Sequence, residues 1–320
     1  MSYAPVLVKS IKIGNIHNKL SSNGPCFTWG PQDQTFVTGG SDGFTRVWDI
    51  ASGSIQFTMQ AFAPKENHWS HQITDCIMSP SGDVLLSSSL GQGIKAWNTT
   101  DWSLRFETEE KNHANYCAFD ISGKRIGHSR LRSSKISVLN TSNGQAIVHK
   151  ANFDSLKNGE QNELLLCKLA PSGDWVLVHI SDDGVFEHRF VGVQLSTGKK
   201  LFEFSSFDAH LFSIDPQDRN IFVWGGGGGR IRIWNLDKRE WVNHIDRPLG
   251  SGQWKFHPSG NQIVWSLEDG TIVVYDTVSW KEIYTIPNHQ RLIDYQLSSN
   301  GLFLLSLDDS YVMNLWSLPK

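Results

Sequence analysis

Four cysteines, at positions 26, 76, 117 and 167, are the first residues that could do chemistry, as metal ligands or redox thiols. Either use favours close spacing, and no Cys-x-x-Cys pair occurs. Cys76, Cys117 and Cys167 each stand four residues before a turn signal, at Pro80, Ile121 and Pro171. Phe27, Phe212, Trp254 and Tyr295 hold the same place before other turns, and Cys26 lies next to it. Such an apolar column predicts thiols packed as small hydrophobes. The 12 histidines show no H-x-x-x-H pair with a nearby acid, so structural hydrogen bonding is expected and no metal site is assigned. Gly225 to Gly229 is followed by Arg-Ile-Arg-Ile-Trp, which reads as a strand, so the run is a turn and not a phosphate loop. Pairs such as Asp182-Asp183 and Asp308-Asp309 fall where turn chemistry accounts for them. No catalytic residue and no cofactor is assigned. Arg130, Arg132 and Lys135, near Lys124 and Arg125, form one local basic cluster that could meet a phosphate or an acidic peptide.

The elements that must position these residues come from a repeat. Segments ending in Trp48, Trp97, Trp234 and Trp316 resemble one another, and Leu139, Val193 and Tyr275 fill the gaps. The last four members of that column are each about 41 residues apart, a period that marks a repeat architecture. Upstream of each lies a turn: Pro31-Gln32-Asp33, Pro80-Ser81-Gly82, Ile121-Ser122-Gly123, Pro171-Ser172-Gly173, Pro216-Gln217-Asp218, Pro258-Ser259-Gly260 and Ser299-Asn300-Gly301. Apolar runs such as Val84-Leu85-Leu86 and Val176-Leu177-Val178 flank these turns, as strands should, and no stretch keeps a helical period.

The tryptophan-aspartate ending, the Ser-Pro-x-Gly turn and the period resemble the WD40 repeat family over essentially the whole chain. The resemblance implies an all-β, seven-bladed propeller occupying residues 1–320 as one domain. It also implies ring closure by the N-terminal segment Val6 to Ile13, which would complete the last blade. The family's network of His, Ser/Thr, Asp and closing Trp is matched in part by Asp42 with Trp48, and by Asp269 with Tyr275 in the closing place. His71, His113 and His289 sit near the histidine position without a clear Asp in the matching turn, so most blades are expected to lack the full network.

Length surplus points to where a partner would bind. Extra residues sit in Ala61 to Gln72, in Asn152 to Glu163, and between Gly173 and Val193. All are read as loops, which family geometry puts on one face, and loops on a rigid scaffold carry function. The expected contact residues are His68, Trp69, Arg130, Arg132, Asn152, Phe153 and Asp154. Trp102 and Trp280 stand where other repeats have Gly53, Gly144 and Gly198, and are expected to fold over the start of the outer strand.

With 29 basic and 32 acidic residues the net charge is −3, so no global field attracts nucleic acid or an anionic membrane. No apolar run reaches spanning length, and the N-terminus has no signal-peptide pattern. The expectation is a cytoplasmic or nuclear protein, not secreted. It would act as a non-catalytic scaffold or adaptor for protein or peptide partners, without a small-molecule substrate. The alternatives are a hydrolase-like propeller enzyme with its site at the channel mouth, or a phospho-ligand or nucleic-acid recognition module.

Overall fold

The computed structural model describes residues 4–13, 26–64, 71–89, 91–108, 116–129, 135–152, 162–182, 187–207, 209–225, 230–245, 253–287 and 290–319. His68, Trp69, Arg130, Arg132, Phe153 and Asp154 of the expected contact surface lie outside them, as do His113 and His289.

Among the described residues the chain is all β apart from one 3-10 turn at Pro31–Asp33. β1 is Val6–Lys12, and each of the next six blades is a meander of four consecutive strands. Blade 1 holds β2 (Cys26–Trp29), β3 (Thr35–Gly39), β4 (Phe44–Asp49) and β5 (Ile55–Gln60). Blade 2 holds β6 (Ile73–Met78), β7 (Val84–Ser89), β8 (Gly93–Asn98) and β9 (Leu104–Glu107). Blade 3 holds β10 (Tyr116–Phe119), β11 (Arg125–Ser129), β12 (Lys135–Asn140) and β13 (Ala146–Asn152). Blade 4 holds β14 (Asn162–Leu169), β15 (Trp175–Asp182), β16 (Glu187–Gln194) and β17 (Lys200–Phe207). Blade 5 holds β18 (Ala209–Ile214), β19 (Asn220–Gly225), β20 (Arg230–Asn235) and β21 (Glu240–Ile245). Blade 6 holds β22 (Trp254–Phe256), β23 (Gln262–Ser266), β24 (Ile272–Asp276) and β25 (Glu282–Ile286). Blade 7 holds β26 (Leu292–Leu297), β27 (Phe303–Asp308) and β28 (Val312–Ser317), with β1 as its fourth strand. The fold is a seven-bladed β-propeller, and β1 pairs antiparallel with β28 from Val6↔Ser317 to Lys12↔Val312, as the sequence leads one to expect.

Two columns of backbone conformation explain the repeat. The third residue of every upstream turn has a positive φ: Gly82, Gly123, Gly173, Gly260 and Gly301 lie between 68° and 76°, and Asp33 and Asp218 at 56° and 54°. A type I turn followed by a left-handed residue joins antiparallel strands, and glycine reaches that conformation without strain. The two aspartates have a compensating use. Asp33 accepts hydrogen bonds from the Ser299 backbone N–H and hydroxyl, at 3.1 Å each, and Asp218 accepts from the Ser172 N–H at 3.0 Å. Each thereby ties its own turn to that of a neighbouring blade.

The second column lies five residues past the closing residue. Gly53, Gly144 and Gly198 are left-handed there, and so are Trp102, Arg239 and Trp280, with φ of 57–58°. In all six the backbone N–H donates to the residue just after the closing position, for example Arg239 N to Asn235 O at 2.9 Å. Trp102 and Trp280 are half-buried, whereas Arg239 is exposed. A left-handed non-glycine residue costs about 1–2 kcal/mol, part of which glycine returns as unfolded-chain entropy. Arg239→Gly should therefore stabilise the chain by about 0.5–1 kcal/mol in urea denaturation. A loss of stability would contradict this account.

Backbone contacts divide the chain into two compact units, the first of residues 1–78, 85–89 and 248–320 and the second of 79–84 and 90–247. In the first, Phe27, Phe36 and Trp48 pack with Leu305, Leu307 and Met313, while Tyr295 and Trp316 pack with Val264, Val274 and Leu304. Trp48 Nε1 donates to Thr38 Oγ1 and Trp316 Nε1 to Ser306 Oγ, both at 3.0 Å. In the second unit, Trp97 and Trp234 Nε1 find no partner among the described residues. Asp42 accepts the Arg46 guanidinium at 2.6 Å and the Phe44 N–H at 3.1 Å. Asp269 accepts the Thr271 N–H at 2.8 Å. The Trp-to-Ser/Thr link is thus seen in blades 1 and 7, and Asp42 and Asp269 brace their own turns.

Candidate binding surfaces

Blade 4 departs from the loop expected between Gly173 and Val193. The surplus residues lengthen the strands: β14, β15, β16 and β17 have eight residues each. The reason is pairing and stacking. β15 and β16 stay in register from Trp175↔Gln194 to Ser181↔His188, and β16 meets β17 out to Glu187↔Phe207. At the foot of this extension His179, paired with Leu166, stacks on Phe190 at 4.5 Å, Phe190 stacks on Phe204 at 5.0 Å, and Phe212 meets Phe190 edge-on at 5.3 Å. Each such aromatic pair adds about 0.5–1.5 kcal/mol beyond area burial.

His179 Nε2 and His188 Nδ1 lie 2.9 Å apart. Burial, then the neighbouring His188 and Lys168, lower the His179 pKa to about 3, so its ring is neutral at physiological pH. Burial also lowers the Lys168 pKa to about 8, and its Nζ donates to Phe212 O at 2.7 Å. These are positioning contacts that stiffen the base of the extension.

Blade 3 packs beside it in the same unit. Ile136 and Val138 share a core with Cys167, Val176 and Val191, and Ser129 Oγ donates to Cys167 O at 2.8 Å. Aligned on Cys117 and Cys167, β14 begins four residues earlier than β10, which at ~3.3 Å per residue projects roughly 13 Å further. Ser129, Lys135 and Asn152 share one end of blade 3, with Lys135 directly paired to Asn152. Residues 130–134 and 153–161, which carry Arg130, Arg132, Phe153 and Asp154, join strands at that end. Asn152, expected within a loop, instead closes β13.

Other juxtapositions escaped the sequence. Cys26 and Cys76 come from blades 1 and 2, yet their Sγ atoms are 3.5 Å apart. The hydrogen bond to Cys76 and burial hold the Cys26 thiol well above its usual pKa, so it stays protonated. Gly39 makes room for both sulfurs, since a Cβ there would lie 2.5 and 2.8 Å from them. Lys255 Nζ donates to Asp294 Oδ1 at 2.7 Å and to Tyr295 O at 2.6 Å. Asp75 lies in the same electrostatic neighbourhood, and burial raises its pKa to about 7 against the pull of Lys255. Gly39-Gly40-Ser41-Asp42-Gly43 has the letter spacing of a nucleophile elbow. It joins the antiparallel strands β3 and β4, not a strand to a helix, so that context is missing. Among the described residues no group of three or more His, Cys, Asp or Glu could hold a metal ion. Among them, too, no helix is long and apolar enough to cross a membrane.

Residues 18–49 match the model of the WD40 family, described as WD domain, G-beta repeat. No curated protein matches the chain. Many solved structures do. One is the beta-propeller domain of Myceliophteria thermophila Cps50 (Swd1), 12% identical, with a TM-score of 0.73 over 98% of this chain and 100% of that one. At that identity the likeness speaks for fold. One matched WD40 repeat and a whole-chain match in architecture show that the chain is a seven-bladed β-propeller with a WD40 repeat at residues 18–49.

Proposed function

We propose that the chain is a non-catalytic interaction platform, one domain across residues 1–320, and that a protein or peptide partner docks at the loop-bearing end of blades 3 and 4. The observation that carries this is the blade 4 extension. Among the described residues β14 starts four residues, roughly 13 Å, further out than β10, and the stacked pair of His179 and Phe190 stiffens the foot of this extension. A stiff wall of paired strands is a surface that recognises partners at low ordering cost. His68 and Trp69 belong to a separate stretch and are tested separately. A cytoplasmic or nuclear setting is consistent with this role.

Arg130→Glu with Arg132→Glu should remove stoichiometric partners from a tagged pull-down of the full chain, read by mass spectrometry at two salt concentrations, at unchanged melting temperature. Trp69→Ala tests the other stretch in the same assay. Unchanged capture by the double variant would move the docking site elsewhere.

A further inference from the structure

Blade 5 carries a cleft that the platform reading leaves unused. It has a volume of about 380 Å³ and is lined by Arg230, Arg232, Trp241, Val242, Asn243 and His244. All six lie on β20 and β21, and β21 is the outermost strand of its sheet. The sequence already orders them. Ile231 and Ile233 are buried on one face of β20, so Arg230 and Arg232 alternate to the other. The register sets Arg232 directly opposite His244, and a bulge between Ile233 and Trp234 shifts the pairing so that Trp234 meets Trp241.

That bulge builds a fixed cation. Trp241 is held edge-on by Trp234 at 5.4 Å and by Phe204 at 5.3 Å. The Arg232 guanidinium lies over the Trp241 ring, 4.1 Å from its centre. Stacking holds a guanidinium by its face and leaves its N–H edge for an acceptor. Among the described residues Arg232 makes no ion pair, and no carboxylate lines the cleft. Burial lowers its pKa, the mark of a charge that has lost water. Exposed Val242 adds an apolar contact beside this charge.

We propose that this cleft binds an acidic peptide segment, laid in extended form along β21, with a side-chain carboxylate accepting from Arg232. Three features select that occupant. A stacked arginine presents the planar edge that a carboxylate matches. The sheet edge offers backbone groups to an added strand, and Val242 offers a place for an apolar residue in an alternating sequence. A nucleic acid would need a broad basic field, which a net charge of −3 does not supply.

The probe is a fluorescein-labelled decapeptide alternating Glu and Val, titrated into the full chain by anisotropy, with a Gln/Val decapeptide as control. The Glu/Val peptide should bind saturably, with affinity falling at higher salt, and the Gln/Val peptide at least tenfold more weakly. Arg232→Gln should weaken binding at least tenfold without lowering the melting temperature. Equal binding of both peptides, or an unaffected Arg232→Gln, would overturn the proposal. So would displacement of the peptide by inorganic phosphate at concentrations that show a small-anion site indifferent to the strand.

Discussion

Asp75→Asn should stabilise the chain by about 3 kcal/mol at pH 8, with a gain that shrinks steadily as the pH falls towards 4. The folded carboxyl titrates at about 7, raised first by burial, against an ordinary value near 3.8. Each pKa unit is worth ~1.4 kcal/mol, and residual solvent access of this half-buried side chain trims the full three-unit figure. Between those two values the folded state holds a proton that the unfolded state has released. Stability is therefore lost as pH rises through this window, and above it the chain carries the whole cost of an ionised, poorly solvated carboxylate. Asparagine keeps the neutral shape at every pH. Urea denaturation of both proteins at pH 5, 6.5 and 8 checks this. A stability difference independent of pH would mean that Asp75 is ionised comfortably in the fold.

Tyr295→Ala should cost about 4 kcal/mol, the larger loss expected from a single truncation in the first unit. Tyr295 is fully buried among Val264, Leu304 and Trp316. Removing a ring of that size leaves a cavity as well as lost transfer energy. Its hydroxyl donates to Val264 O at 2.6 Å, with Gln253 O at 3.2 Å, and burial holds the phenol well above its usual pKa. Tyr295→Phe keeps the volume and deprives those carbonyls of a donor, for about 1–2 kcal/mol. Calorimetry or urea melts should rank wild type above Phe above Ala. An Ala variant within about 1 kcal/mol of wild type would show that the site collapses or was never packed.

The blades were legible in the sequence because their signals are local. Turn residues and closing residues repeat with fixed spacing, and each corresponds to a backbone conformation, such as the left-handed column running through Asp33 and Asp218. The closing strand was legible for the complementary reason, since a blade short of one strand must recruit it. What stayed hidden depends on packing between repeats. Cys26 and Cys76 are 50 residues apart, and Lys255 and Asp294 are 39 apart. Nothing in either local pattern says that they meet. The blade 4 insertion reads as a loop because a count of residues between Gly173 and Val193 does not say whether the surplus falls in a loop or in longer strands. The described residues of β15 and β16 pair for one or two steps more than in other blades. The bulge at the blade 5 cleft recurs beside the closing residue of each of blades 1 to 6, so the repeat marks its place, but no local pattern says that Arg232 will stack on Trp241 there.

The pairing of β1 with β28 also sets a timetable. Ser10 hydrogen-bonds Asn314 across 304 residues. At ~5–20 residues per second, a ribosome that has made Ser10 needs roughly 15–60 s more to make its partner. For that interval β1 has its Val6-Leu7-Val8 run and nothing to pair with, and those side chains remain exposed even in the finished fold. An unpaired apolar strand invites the wrong edge. The step that locks this blade thus waits until β28 has been made, and chaperone demand during that interval should fall on β1.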